Sequence, residues 1–296
     1  MSLILNVDAD EILYNAAFAA EKTHYTLTTK NGNEYNLGAK YTGKEIKQML
    51  EKRGKSLDVD YKLTSYKLPL GDAGFARQNA KRILTKLRSL GDLRLFLTGS
   101  TNFRIDMAKT PGPRGPGYKA NRPSKPIFYN ETKEYLINRW GAEIVEDMEA
   151  DDALGVWQRS NTVAVHIDKD INRISGKHLN WKTGERYVVP EGLGALSLKK
   201  DKLTGVGNIF FFAQMLLGDR VDNIPGIDGY GDKGVFSLLN TCGTERDALL
   251  CVMDCYENNY GEDYLEILLE VADLLYIMDG EKIRGREYIK RVWSTK

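Results

Sequence analysis

TVAVHIDKD, residues 162–170, decides the fold. A short apolar, β-branched run ends abruptly in Asp168, and Asp170 follows two residues on. Apolar runs of about four to eight residues, bounded by polar signals, read as strands buried on both faces, the kind found in parallel sheets. The N-terminus repeats the device: LILNV (3–7) runs into Asp8 and then Asp10. LRLFLT (93–98) and EIVE (143–146) are further runs of this type, and helical patterns lie between them at 74–91 and 131–141. Strands alternating with helices predict an α/β fold on a parallel sheet. KHLNW and ERYVV around the turn KTG predict a later strand pair.

Other segments depart from that pattern. From residue 206 onward the pattern is all-helical, which predicts two parts: an α/β core over 1–205 and a helical subdomain over 206–296. Residues 22–70 are polar and rich in Tyr and Lys, so they read as a peripheral insertion, partly helical near EIKQMLEKR. KTPGPRGPG (109–117) is too broken by proline and glycine for a helix and predicts a loop.

Composition excludes several classes. The 42 basic and 41 acidic residues leave a net charge of +1, so any nucleic-acid surface must be local. The 3 cysteines form no CxxC pair and suit a reducing cytoplasm. Only 3 histidines weaken triad chemistry and zinc sites. No apolar run approaches about eighteen residues, which argues against a membrane span. Nor does the acid-bearing N-terminus read as a signal peptide.

The carboxylates carry the chemistry. Ligand sites of open parallel sheets lie at the carboxyl ends of the strands. Strand-end acids supply Asp8, Asp10, Asp168 and Asp170. The run EIVEDMEADDALG (143–155) supplies Glu149, Asp151 and Asp152, and GDRVDNIPG (218–226) supplies Asp219 and Asp222. Any one pair could be a helix cap or a dipole partner. Gathered together they repel, by about 4 kcal/mol per pair at roughly 4 Å and an effective dielectric of about 20. Hard divalent cations such as Mg²⁺ or Mn²⁺ would offset this, and two of them would suit phosphoryl hydrolysis.

Two further stretches complement the acids. Between Met107 and Asn130 there is no acid, but Lys109, Arg114, Lys119, Arg122 and Lys125 accompany Tyr118. Cations suit phosphate and an aromatic ring suits a base. NIPGIDGYGDKG (223–234) places Gly226, Gly229, Gly231 and Lys233 before a helix, a pattern that lets backbone N–H groups approach phosphate.

With these motifs in hand, the chain resembles the 5′-nuclease superfamily: the 5′-nuclease domain of bacterial DNA polymerase I, flap endonucleases and phage 5′-to-3′ exonucleases. The motifs are NVDAD, NFR (102–104), YKANRP (118–123), MEADDALG (148–155), HIDKD (166–170) and GDRVDNIPGIDGYGDKG (218–234), in family order. The resemblance implies a PIN-like core with a helix–three-turn–helix subdomain and a basic arch-like loop over 106–130. It implies that Asp8, Glu149, Asp151, Asp168, Asp170, Asp219 and Asp222 hold two Mg²⁺ or Mn²⁺ ions, with Asp152 close behind. Lys119 and Arg122 would clamp the scissile phosphate. Arg104, Tyr118, Gly226, Gly229, Gly231 and Lys233 would contact DNA, and K⁺ often sits at the Gly-rich turn. The implied activity is a 5′-to-3′ exonuclease and flap endonuclease of phage replication or recombination. It would be a monomer in the host cytoplasm, acting on duplex DNA with a 5′ end, flap or nick, or on an RNA–DNA hybrid. The alternative is a branched-DNA binding protein of the same fold with weak or lost catalysis. Two departures stand out. Thr98 or Gly99 lies where the family has an Asp, and Asn15 where an Arg is frequent.

Overall fold

The computed structural model describes residues 3–108, 117–120 and 122–295. By its contacts the chain divides into two compact units, one of Met1–Glu11, Lys86–Pro123 and Trp140–Lys296, the other of Ile12–Thr85 and Ser124–Arg139.

The first unit is built on a sheet whose strands are β1 (Ile4–Asp8), β5 (Asp92–Asn102), β6 (Glu143–Asp147), β7 (Thr162–His166), β8 (Gly176–Asn180) and β9 (Arg186–Val189). The spatial order is β6-β5-β1-β7-β8-β9. Parallel pairing runs from β6 to β8, and only the edge strand β9 is antiparallel. The register aligns Asp8 with Phe96 and Val7 with Val165, so β1 and β7 end at the same level, while β5 runs on to Asn102. Leu5, Val7, Leu95, Leu97, Ala164 and Val165 are buried, as strands covered on both faces require. β8 and β9 form the expected pair, with Asn180 Oδ1 accepting the amides of Lys182 and Thr183 in the turn.

A second hairpin, β10 (Ala195–Lys199) and β11 (Lys202–Val206), was not expected from the sequence. Its strands are short, and the lysine-rich tip hides their alternation. After it come α7 (Asn208–Leu217), α8 (Asp232–Leu239), α9 (Glu245–Tyr260), α10 (Tyr264–Leu275) and α11 (Gly285–Ser294), the helical region that the sequence predicts. Phe210, Phe211 and Phe212 of α7 are buried with Tyr256, Tyr276 and Tyr288. Each such side chain contributes about 1.5–3 kcal/mol by leaving water. Two short helices complete the unit, α4 (Phe103–Ala108) and α6 (Ala150–Val156).

The second unit holds most of α1 (Ala9–Phe18), α3 (Ala73–Arg88) and α5 (Tyr129–Trp140). It also holds the 22–70 segment. The helix expected there is α2 (Gly43–Glu51), started by a capping box of Thr42 and Glu45. The rest of the segment is an antiparallel sheet with β2 (Glu21–Thr29) between β3 (Glu34–Gly38) and β4 (Tyr61–Pro69). THYTLTT and YKLTSYKL are β-branched and aromatic, but polar residues on both faces blur the period of two that marks a strand. Leu27, Ile46 and Leu50 form its small core.

Residues 109–116 and 121, which include Lys109 and Arg114 of the expected basic loop, lie outside the described residues.

Candidate metal centre

The site gathers where β1 and β7 end, beside Thr98 of β5, all within the first unit. Asp8 closes β1, and its Oδ1 accepts the amides of Asp10 (2.9 Å) and Glu11 (3.3 Å), so it also caps α1. Only 3% of Asp8 is exposed. Burial, followed by repulsion from Asp151, pushes its carboxyl well above the usual range, and the two side chains share a hydrogen bond. Asp151, in the first turn of α6, is raised in the same way by burial and by Asp168. Asp168, just past β7, caps its own turn by accepting the Asp170 amide at 2.9 Å, and burial raises it too. Asp170 rises to about 7, through burial and then repulsion from Asp168, although Gln214 of α7 donates to it at 2.6 Å.

Glu149 behaves oppositely. Burial pushes it up, but Lys119 and Arg104 outweigh that and hold it near about 2. Lys119 Nζ lies 2.5 Å from Glu149 Oε1, and the Tyr118 hydroxyl donates to Oε2 at 3.0 Å. Arg122 donates through Nε (3.1 Å) and Nη2 (2.6 Å) to Asp222 Oδ1, and the Lys119 amide donates to the Asp222 carbonyl at 2.9 Å. Asp219 accepts the Val221 amide at 2.7 Å, which shapes the turn that presents Asp222. The structure therefore brings together Asp8, Glu149, Asp151, Asp168, Asp170, Asp219 and Asp222 with Lys119, Arg122 and Tyr118.

The donor set is all oxygen, and its charged form is penalised by burial and mutual repulsion. That is the environment a hard divalent cation relieves. Among the described residues no three of these side chains are already gathered as a finished shell. The fit to metal is therefore one of charge and donor type.

Several expectations change. Asp152 is fully buried, and both its oxygens are taken: Arg104 Nη1 at 2.6 Å and Nη2 at 3.0 Å, and the amides of Glu149 and Met278. No lone pair faces an open site. Arg104 is likewise at 0% exposure and also donates to the carbonyls of Leu274 and Tyr276, so it is an internal strut rather than a DNA contact. Tyr118 points its hydroxyl at Glu149 instead of offering a free ring. A side chain at Gly226 would meet the Leu217 carbonyl at 2.4 Å, so this glycine serves close packing against the end of α7. Gly229 and Gly231, in contrast, have nothing within 4 Å. Lys233 is exposed and pairs with Asp201 at 3.0 Å.

The sequence reading missed Glu11. Its carboxylate accepts the amides of Ile167 (2.8 Å) and Asp168 (2.9 Å) and the Trp181 indole N–H (2.8 Å). Burial raises it to about 7 despite these donors. The acid follows Asp10 directly and could have been flagged, but nothing in sequence links it to residues more than 150 positions away. Asp10 Oδ2 accepts the Thr98 amide at 3.0 Å, and Thr98 Oγ1 accepts the Ala150 amide at 3.0 Å. The strand end that lacks the family's Asp is thus tied into the site by Thr98. In the acidic run, Glu143 pairs with Arg94 and Glu146 accepts the amides of Ser100 and Thr101, so neither joins the centre.

A parallel sheet with acids at its strand ends, faced by a basic strap, defines an α/β protein with an anionic, metal-receptive centre. No family model matches the chain. Two curated relatives place it more closely. It is 38% identical over 154 residues to DNA polymerase I of Pseudomonas aeruginosa, covering 46% of this chain and 16% of that protein. It is 28% identical over 141 residues to a 5′-3′ exonuclease of Buchnera aphidicola, covering 43% of this chain and 44% of the relative. These relatives bear out the resemblance to the 5′-nuclease superfamily, although the chain spans less than half the length of either. Among solved structures, the bacteriophage T5 D15 protein co-crystallized with metal ions is similar at 14% identity and a TM-score of 0.46, over 74% of this chain and 83% of the other. T5 5′-exonuclease with bound zinc gives 17% identity and a TM-score of 0.39, over 75% and 79%.

Proposed function

We propose that the chain is a divalent-metal-dependent 5′-to-3′ exonuclease and flap endonuclease acting on DNA. One observation carries this reading: Asp8, Asp151, Asp168 and Asp170 meet at one sheet edge with their charged forms disfavoured, opposite a Lys119–Arg122 strap. The names of the two relatives support it. Asp8, Glu149, Asp151, Asp168, Asp170, Asp219 and Asp222 would hold two Mg²⁺ or Mn²⁺ ions. When bound, such ions stabilise charge on the attacking and leaving oxygens of an in-line phosphodiester hydrolysis.

The chain's own residues do the rest. Lys119 and Arg122, now paired with Glu149 and Asp222, turn to the scissile phosphate and stabilise its developing charge. Glu11 fixes the backbone at 167–168 and so aims Asp168. Arg104 and Asp152 anchor the start of α6 beneath Glu149 and Asp151. Residues 206–296 act as the duplex-gripping part, with K⁺ at the Gly-rich turn. RNA–DNA hybrids are further substrates, the protein works as a monomer, and its setting is phage replication or recombination. Among the described residues no helix is long and apolar enough to cross a membrane.

Cleavage of 5′-labelled flap, nicked and blunt duplexes with Mg²⁺, Mn²⁺ or chelator tests the proposal. Ion-dependent release of short 5′ products is expected. Tight binding of branched DNA without cleavage under either ion would refute it and favour a binding protein of the same fold.

A further inference from the structure

The β10–β11 hairpin contributes no carboxylate to the acidic centre, although its Lys199 lines a cavity that Asp168 also borders, and it is firmly built. Leu196 and Leu203 sink into the aromatic core of the helices, each 9% exposed. Its tip, Lys199-Lys200-Asp201-Lys202, turns through left-handed backbone at Lys200 (φ 50°) and Asp201 (φ 64°), the geometry of a tight hairpin. The tip is stitched to the first turn of α8. Lys202 Nζ reaches Asp232 at 3.0 Å, the Leu203 amide donates to Asp232 at 2.8 Å, and Lys233 Nζ reaches Asp201 at 3.0 Å.

This pairing uses Asp201 and Asp232, and among the described residues leaves Asp228 of the adjoining turn as the one further acid against four lysines. Lys199 and Lys200 are exposed and have no ion-pair partner among the described residues. Beside them, leading into α8, lies the turn where a side chain at Gly229 or Gly231 would point into open space. A chain of net charge +1 therefore concentrates Lys199, Lys200, Lys202 and Lys233 on a rigid surface with too few counterions of its own. Such a surface favours an external polyanion. The hairpin, ALSLKKDKLTGV, carries lysines but no aromatic ring, and the adjoining turn offers one exposed ring, Tyr230, rather than the succession on which a single strand stacks, so the match is to duplex backbone.

We infer that the hairpin tip is a second phosphate-binding element. Lys199 and Lys200, with Lys233 across the tip, take backbone phosphates of duplex DNA next to the Gly-rich turn without reading sequence. The inference rests on the functional reading above, and the test separates the two. Binding of a blunt duplex is measured by fluorescence anisotropy over a KCl series, with Ca²⁺ in place of Mg²⁺, for wild type and for Lys199→Ala/Lys200→Ala. Both lysines are exposed and unpaired, so the melting curve should not move. The slope of log affinity against log salt should fall by about 2, and affinity at moderate salt should weaken about tenfold. Single-turnover cleavage at saturating enzyme should be unchanged. Lys199→Glu/Lys200→Glu should bind more weakly still. An unchanged slope and affinity in the alanine variant, with wild type binding duplex, would overturn the hairpin assignment alone. Loss of single-strand binding without loss of duplex binding would overturn the duplex assignment. Failure of wild type to bind duplex at all would overturn the functional reading and the hairpin with it.

Discussion

Arg104 gives the sharpest test of the structure, because its sequence context points to DNA while its surroundings point inward. Arg104→Met keeps the bulk of the side chain and removes the charge. It leaves the Asp152 carboxylate at 0% exposure with no cation, and the carbonyls of Leu274 and Tyr276 without a donor. Breaking a buried ion pair by removing one partner costs about 3–5 kcal/mol. Each kcal/mol shifts the melting temperature of a chain of about 150–250 residues by roughly 2–4 °C, so a fall of roughly 6–20 °C is expected. Thermal unfolding followed by circular dichroism in metal-free buffer measures it. Arg104→Met/Asp152→Leu should recover much of the loss, since a buried pair replaced by well-packed apolar groups is often neutral. Duplex affinity of the folded single variant should be near wild type. An unchanged melting temperature combined with weakened DNA binding would refute the strut and restore the phosphate contact.

Four further outcomes follow from the site. Asp170 has a folded pKa raised to about 7, so its stabilising contribution is present at low pH and is lost as pH rises through about 7. Asp170→Asn should therefore raise the metal-free melting temperature at pH 8 but not at pH 4, while abolishing ion-dependent cleavage; the same shift at both pH values would show that repulsion is not the cause. A side chain at Gly99 would meet the Glu146 carboxylate at 2.4 Å, so Gly99→Asp should displace Glu146 from the Ser100 and Thr101 amides by repulsion and destabilise the protein instead of supplying a metal ligand. Thr98→Asp is the better-placed change and should lower the Mg²⁺ concentration needed for half-maximal cleavage; identical midpoints in a metal titration would count against it. Glu11→Ala should lower kcat and divalent-ion affinity without changing duplex affinity, and Glu11→Gln should recover part of both, because an amide oxygen can still accept one of the backbone N–H groups. Equal losses in the two variants would leave Glu11 no positioning role.

The parallel sheet was legible because its strands are short, apolar and closed by acids; Asp8 and Asp168 sit where that pattern put them. The antiparallel sheet of residues 21–69 was not, since its strands are solvated on both faces and lose the alternation that betrays a strand. The site was legible in its membership and less so in its pairings. Glu149 and Asp152 stand three apart on α6 and look equivalent in sequence, yet one faces Lys119 and the other is enclosed by Arg104. That distinction depends on the 274–278 backbone folding over α6, which no local pattern encodes. Gly226 and Gly229 likewise read as one motif, although one packs against a carbonyl and the other meets nothing.

Helix α7 has a consequence beyond filling the interior. Gln214 near its end holds Asp170, and the chain leaves its last turn directly into the Asp219 loop. The helix is thus a spacer between two groups of carboxylates, and its position is fixed by the burial of Phe210, Phe211 and Phe212 in the core. Enlarging or shrinking one of those rings should shift the spacer, and with it the distance between Asp170 and the Asp219 loop. Core volume and carboxylate spacing are thereby coupled, so a substitution remote from every acid can change the geometry of the anionic centre.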